Sequence, residues 1–284
     1  MGRVVILGAK GMLGTDLSSA CTKAGLDVSG FDLPEFDITD DAQLANAIEG
    51  AQVIVNCAAY TNVEKAESER QLAFKVNAEA VGRLGNIAKQ NGVSVLHIST
   101  DFVFDGTSDT PYVETDAANA LSAYGASKLA GETELVASGC KSCIIRVEWT
   151  YGAAGTNFVK KLLRAASAGK PLKVVDDQIG APTATTEVAD AIVSFLKLDT
   201  LPEGIFHFAA AGFTSRYEMA RFMFDKLAMD VSLSSCKSDE FVTAAKRPLS
   251  SRFDCSKIEN VLDQPIKPWQ QPLEKYIKDN YLSK

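Results

Sequence analysis

Gly8-Ala9-Lys10-Gly11-Met12-Leu13-Gly14 follows the apolar run Arg3 to Leu7 and opens a helical pattern running from Leu13 to Ala24. A strand that ends in a glycine turn and feeds a helix is the phosphate-binding unit of dinucleotide folds. In that unit Gly8 permits the tight turn, Gly11 lets the backbone approach a pyrophosphate, and Gly14 allows the helix to pack closely on the sheet. The helix N-terminus then presents unspent N–H groups to the anion, so Gly8, Gly11, Met12, Leu13 and Gly14 are candidate cofactor contacts. A glycine-rich turn with no ligand is the bland alternative, and the agreement of strand, spacing and helix argues against it.

Outward from this turn, strand-length apolar runs alternate with helical patterns. The runs are Arg3 to Leu7, Asp27 to Phe31, Gln52 to Asn56, Ser94 to Ile98 and Ser142 to Val147. Between them lie helices over Leu13 to Ala24, Asp40 to Ala47, Glu69 to Asn91 and Ser122 to Ala137. That rhythm predicts an α/β fold with a doubly wound, Rossmann-type parallel sheet. After Val147 it weakens, with helices near Asn157 to Ala168, Glu187 to Lys197, Tyr217 to Leu227 and Gln271 to Asn280 and a short strand near Leu172 to Val174. Asp176 to Thr183 reads as a loop between lobes, and Pro248, Pro265, Pro268 and Pro272 punctuate the rest. A chain of 284 residues is too short for two full domains. We expect a dinucleotide-binding domain over 1–147 and 184–210, and a smaller C-terminal α/β substrate lobe over 148–183 and 211–284.

Composition narrows the function. A net charge of −7 and the lack of clustered Lys and Arg argue against a nucleic-acid surface. No apolar run approaches the length needed to span a bilayer and no secretory signal is readable, so a soluble, cytoplasmic protein is expected. Of the six cysteines only Cys140 and Cys143 form a C-x-x-C pair. That supplies too few ligands for zinc, and reduced thiols are expected with no metal ligand assigned.

Two further features point to hydride-transfer chemistry. Asp32 ends the second strand, where a carboxylate accepts hydrogen bonds from an adenosine ribose and repels a 2′-phosphate. This leans toward NADH, while Lys10 nearby leaves NADPH open. Tyr124 and Lys128 in Ala123-Tyr124-Gly125-Ala126-Ser127-Lys128 share one helix face. A phenol near pKa ~10 needs a cation to ionise near neutrality, and Lys128 is positioned to supply it. In reduction Tyr124 would protonate a carbonyl oxygen, Lys128 would hold the nicotinamide ribose, and Thr100 at the end of the fourth strand would hydrogen-bond the same oxygen. An exposed helical Tyr–Lys pair is the alternative for such a motif standing alone.

These residues resemble the extended short-chain dehydrogenase/reductase superfamily, whose G-x-x-G-x-x-G spacing this turn shares. Within it the chain is similar to the dTDP-4-dehydrorhamnose reductase family. The matching blocks are Gly8 to Gly14, Asn56 to Thr61 with Lys65-Ala66-Glu67, Val76-Asn77, Ser99 to Gly106, Tyr124 to Glu132, Arg146 with Trp149, Asp177 to Thr183, and Arg247-Pro248. The resemblance implies reduction of the 4-keto group of dTDP-4-dehydro-6-deoxy-L-mannose to dTDP-L-rhamnose. It implies that Thr100, Asp101 and Trp149 meet the hexose, that Ala58, Ala59 and Tyr60 line the cofactor, and that Asp37 and Ile38 lie near adenine. Arg247 could hold the diphosphate through a bidentate contact, and Trp149 could lay a face on the deoxy sugar. Some family members hold a metal such as Mg2+ through acidic residues at a dimer contact. Asp16 and Glu187 fall in the corresponding blocks, which leaves a homodimer open, although surface charges would read the same way. Ala120, Ser122 and the pair Val147-Glu148 depart from the family pattern and put the identity of the sugar in question. A related epimerase or dehydratase and a catalytically silent scaffold of the same fold are the other readings. The first is disfavoured because Phe102, not a glutamate, follows Asp101, the second because the trio Thr100, Tyr124 and Lys128 is intact.

Overall fold

The computed structural model describes residues 2–282. Its centre is a six-stranded sheet of β1 (Arg3–Leu7), β2 (Val28–Phe31), β3 (Ala51–Asn56), β4 (Ser94–Thr100), β5 (Ser142–Val147) and β6 (Gly204–Phe208). The spatial order is β2-β1-β3-β4-β5-β6 and every neighbouring pair is parallel. Five of these strands coincide with the apolar runs of the sequence. The sixth departs from expectation: Gly204-Ile205-Phe206-His207-Phe208 is interrupted by His207 and lies where the alternation of strands and helices has weakened.

A parallel sheet needs both faces covered, and β1 shows how the sequence arranges it. Val4 and Ile6 point into one core with Leu17 and Cys21 of α1 (Met12–Lys23), while Val5 and Leu7 point into the other with Leu84 and Ala88. The other α-helices of eight residues or more among the described residues are α2 (Asp41–Ile48), α3 (Ala80–Asn91), α4 (Ala123–Ser138), α5 (Phe158–Ser167), α6 (Thr185–Leu196), α7 (Arg216–Lys226) and α8 (Gln270–Ile277). Gly14 lies where α1 leans on the turn before it; a Cβ there would stand 2.1 Å from the Gly8 carbonyl oxygen.

The helix expected over Glu69 to Asn91 is broken. Arg70–Phe74 is α-helical, Lys75–Glu79 is a π-turn, and α3 comes after it. The extra residue in a π-turn rotates the next stretch of helix about its axis, and such turns commonly mark functional positions. Here it carries Asn77, whose amide bonds both the N–H and the C=O of Tyr60 and also donates to Ser127 Oγ at the start of α4.

A separate core made by Val159, Leu162 and Leu163 of α5, Met219, Met223 and Phe224 of α7, and Trp269 and Leu273 holds the C-terminal lobe together. Short strand pairs complete it, including Leu172–Val175 with Leu233–Cys236. The sheet reverses direction of growth between β1 and β3, and ligands in such sheets bind beyond the carboxyl ends of the strands at that switch point. Among the described residues no helix is long and apolar enough to cross a membrane, and no disulfide links the six cysteines.

Candidate active site

A cleft of about 600 Å³ opens over the carboxyl ends of β1, β3, β4 and β5 and is closed on its far side by the lobe. Its floor on one side is the glycine turn. Gly8 has φ +77° and packs so tightly on the next strand end that a Cβ would lie 2.6 Å from the Ala58 nitrogen. No side chain therefore intrudes where the α1 N-terminus opens, and that backbone cradle fits a dinucleotide pyrophosphate. Gly8, Gly11, Met12, Leu13, Asp32, Asp37, Ile38, Ala58 and Ala59 all line the cleft, as do Thr100, Asp101, Tyr124, Lys128 and Trp149. Gly14 lies behind the turn as a packing residue. Tyr60 does not line the cleft: its hydroxyl donates to Glu69, and its backbone is what Asn77 holds.

Asp32 fastens the turn. One oxygen accepts the Lys10 N–H at 2.7 Å and the other the Leu33 N–H at 2.7 Å. The Lys10 ammonium goes elsewhere, to Glu35 and the Leu33 carbonyl, so it does not neutralise Asp32.

The trio of Thr100, Tyr124 and Lys128 converges. Ser122 caps α4 by accepting from the Gly125 N–H, and Glu67 accepts from the Ala123 N–H, which sets the first turn of the helix against the end of β4. Tyr124 packs edge-on against Phe102 with ring centroids 5.5 Å apart. Burial pushes its phenol up to about 12, against a downward pull from a hydrogen bond with Thr100 and a further rise from Asp101. The expectation that Lys128 makes this phenol acidic is therefore corrected. The Lys128 ammonium nitrogen donates to the Ile98 carbonyl at 2.7 Å and meets His97 Nε2 at 3.1 Å instead. Desolvation pulls Lys128 down to about 8, while Glu132 and Cys57 oppose that fall. Tyr124 is thus a protonated donor at neutral pH.

Beyond the trio lies a buried ionisable cluster that sequence reasoning missed in part. Asp101 accepts from Thr100 Oγ1 at 2.9 Å and from Ser251 Oγ, and burial raises its pKa. Glu148 is 1% exposed; one oxygen accepts the Ala181 N–H at 2.9 Å, the other has no partner, and burial with Asp101 nearby holds its pKa well above the usual range. Arg216, the first residue of α7, stacks its guanidinium over the Trp149 ring at 3.5 Å. Burial draws it down to about 9, and Asp101 and Glu148 resist the fall. No motif announces Arg216; only the fold brings it across from the lobe. It covers one face of Trp149, the ring on which the sugar is expected to lie. Arg247 lies outside this cleft, in an adjoining cavity of about 670 Å³ that Arg216 and Asn157 also line. Its guanidinium is paired with Glu64, which also accepts from the N–H groups of Ala244 and Ala245.

Within one chain Asp16 and Glu187 are engaged separately: Asp16 accepts from Thr185 Oγ1 and Glu187 pairs with Lys267 at 2.9 Å. Among the described residues no group of three or more His, Cys, Asp or Glu side chains is arranged to hold a metal.

The chain is similar to known proteins over nearly its whole length. The model of the RmlD substrate binding domain matches residues 2–282. A dTDP-4-dehydrorhamnose reductase of Aggregatibacter actinomycetemcomitans is 37% identical, over 96% of this chain and 98% of that protein. Among solved structures, the dTDP-4-dehydrorhamnose reductase of Bacillus anthracis in complex with NADP superposes with a TM-score of 0.93 at 32% identity, covering 98% of this chain and 99% of that one. A dTDP-4-dehydrorhamnose reductase of Clostridium acetobutylicum superposes with a TM-score of 0.92 at 34% identity, covering 97% and 98%.

Proposed function

The chain belongs to the RmlD substrate binding domain family, and from that membership we propose that it is a nicotinamide-dependent oxidoreductase reducing the 4-keto group of dTDP-4-dehydro-6-deoxy-L-mannose to dTDP-L-rhamnose, a precursor of cell-surface polysaccharide. The observation that carries the reading is the meeting of a protonated, half-buried Tyr124 with Thr100 and Lys128 at the mouth of a glycine cradle shaped for a dinucleotide. A nicotinamide dinucleotide supplies the hydride when bound; the rest is done by the chain.

The Thr100 hydroxyl, turning from Asp101, and the Tyr124 phenol hold the keto oxygen, and Tyr124 passes its proton to that oxygen as negative charge develops there. A phenol pushed up to about 12 is fully protonated at physiological pH and so is in the form that reduction requires. Lys128 stands one turn along the same face and lines the same cleft, where it would hold the nicotinamide ribose. Asp101 and Arg216 line the sugar side, with the buried Glu148 carboxyl close to that guanidinium, which keeps donors free for hydroxyl or phosphate oxygens. We assign Arg247, paired with Glu64 in the adjoining cavity, to the diphosphate. For the cofactor we assign NADH over NADPH, since the Asp32 carboxylate lines the cleft without a cation against it, although the Bacillus anthracis relative is solved with NADP. We also assign 1–147 with 184–210 to the dinucleotide and 148–183 with 211–284 to the nucleotide sugar. Six unlinked cysteines suit a reducing, cytoplasmic compartment.

The test is oxidation of NADH or NADPH, followed by absorbance, with the dTDP-linked 4-keto sugar as substrate. Tyr124→Phe is expected to lose about 10²- to 10⁴-fold in kcat while binding the cofactor normally. An undiminished rate in the variant removes Tyr124 from the mechanism. Cofactor binding without turnover on any keto sugar turns the reading toward a scaffold.

A further inference from the structure

Behind Lys128, away from the cleft, two buried side chains form a chain of contacts that the proposed chemistry does not use. Asn56 ends β3 and His97 lies on β4; both are fully buried. Asn56 Oδ1 accepts the Ala58 N–H at 3.1 Å, which leaves its Nδ2 facing His97 Nδ1, also at 3.1 Å. An amide nitrogen only donates, so in this arrangement Nδ1 is the acceptor and the ring proton sits on Nε2. Nε2 faces Lys128 Nζ at 3.1 Å, and Nζ also donates to the Ile98 carbonyl. An Nε2–H pointing at an ammonium would set two donors against each other, whereas against a neutral amine it makes a hydrogen bond. A charged Lys128 fits only if the ring proton moves to Nδ1, and Asn56 must then turn its amide and release Ala58.

We propose that Asn56 and His97 are positioning residues that act through Lys128: the tautomer of His97 and the charge of Lys128 change together, and the Ala58 N–H in the cofactor-side turn biases which state is held. His97 itself stays neutral, because burial and the neighbouring Lys128 both oppose an imidazolium. The other ionisable groups that face Lys128 are Glu132 on its own helix and Cys57 after β3, with Tyr124 one turn before it. None of these can exchange donor for acceptor in place as an imidazole does. His207, the second of the two histidines, gives the contrast. Its Nδ1 donates to the Tyr112 carbonyl at 3.0 Å and its Nε2 accepts from Arg146, so one tautomer satisfies both neighbours.

The consequence is that Lys128 and the Ala58 turn are coupled: a ligand that draws the Ala58 N–H changes the ease of charging Lys128. For catalysis this rests on the reductase reading above; the coupling itself does not. Two histidines make the test direct. In protein labelled with ¹⁵N at histidine, the ring nitrogens are followed by NMR from pH 6 to 10, with His207→Gln to assign the signals. His97 is expected to remain neutral and to pass from the Nδ1–H to the Nε2–H form as pH rises through the Lys128 titration near 8, while His207 stays Nδ1–H. Asn56→Asp, whose oxygens accept from both Ala58 and His97 Nδ1, is expected to keep His97 in the Nδ1–H form throughout. In the same variant the alkaline limb of kcat is expected to move up by about one pH unit. A single tautomer of His97 across the range in the unmodified protein, or an imidazolium forming above pH 6, overturns the proposal without reference to any variant. A tautomer change in a protein that reduces no keto sugar leaves the coupling standing and removes only the reductase reading.

Discussion

The outer edge of the sheet and the ends of its central strands both bury charge, and they treat it in opposite ways. At β5 and β6, Arg146 binds Glu132 through two hydrogen bonds of 2.9 and 2.6 Å, His207 is satisfied on both nitrogens and stacks on Phe253 with centroids 4.0 Å apart, and every partner is matched. At the cleft, Lys128 is drawn down, Tyr124, Asp101 and Glu148 are raised, Glu148 has a partnerless oxygen, and Arg216 rests on a ring face. Polar groups buried for structure are closed to further bonding, while those at a reaction site keep donors and protons available at a cost in stability.

The largest effect belongs to the closed region. Arg146→Met leaves Glu132, with 4% of its side chain exposed, as a lone buried carboxylate, and is expected to lower stability by about 3–5 kcal/mol. Urea unfolding measures it, and adding Glu132→Gln should restore a large part. If Arg146→Met costs no more than a surface substitution, the contrast between the two regions fails.

Next comes Lys128, where the sign reverses. Its folded pKa of about 8 lies below the ordinary 10.5, so the unfolded chain binds more protons between those values and stability rises with pH across that window. The penalty is fully present below pH 8 and gone above 10.5. Lys128→Met is therefore expected to be stabilised by up to about 3 kcal/mol at pH 7 while losing activity, with the gain fading toward pH 10.5. A gain that does not depend on pH would mean that Lys128 is not the group responsible.

How much of this the sequence disclosed obeys the same division. The strands β1 to β5, the glycine turn and the Tyr124–Lys128 face are local patterns: periodicity and spacing within a few residues suffice to see them. Arg216 meets Asp101, Glu148 and Trp149 only because α7 returns from the lobe, and nothing near Arg216 in the chain marks it. Asn56 and His97 read as the polar ends of buried strands; their pairing depends on the register of β3 beside β4, in which Asn56 stands opposite His97. The π-turn at Lys75–Glu79 likewise hides inside a run whose apolar spacing reads as one helix. The place of the sheet's sixth member, β6, is set by its pairing with β5 rather than by its own five residues.

Arg216 gives the third and smaller expectation. It has stacking but no hydrogen-bonded acid, so Arg216→Met should cost about 1–2 kcal/mol in stability, less than Arg146→Met, and should act mainly on the substrate. KM for the nucleotide sugar is expected to rise at least tenfold with the cofactor KM unchanged. A loss confined to stability would place Arg216 with the closed region.

The smallest effect is expected at Asp32, where the two regions meet in one side chain. Its carboxylate is structural, since both oxygens take backbone N–H groups of the glycine turn, and it is also the charge presented to the adenosine ribose side of the cleft. Because Lys10 is engaged by Glu35, that charge stands uncompensated, and a 2′-phosphate would meet it directly. Asp32→Ala should weaken both cofactors together by loosening the turn, which alone says nothing about selectivity. The ratio isolates the charge: preference for NADPH over NADH should rise about tenfold, or about 1.4 kcal/mol. Fluorescence titration of both reduced cofactors reads it, and an unchanged ratio would leave Asp32 as a fastener of the turn and nothing more.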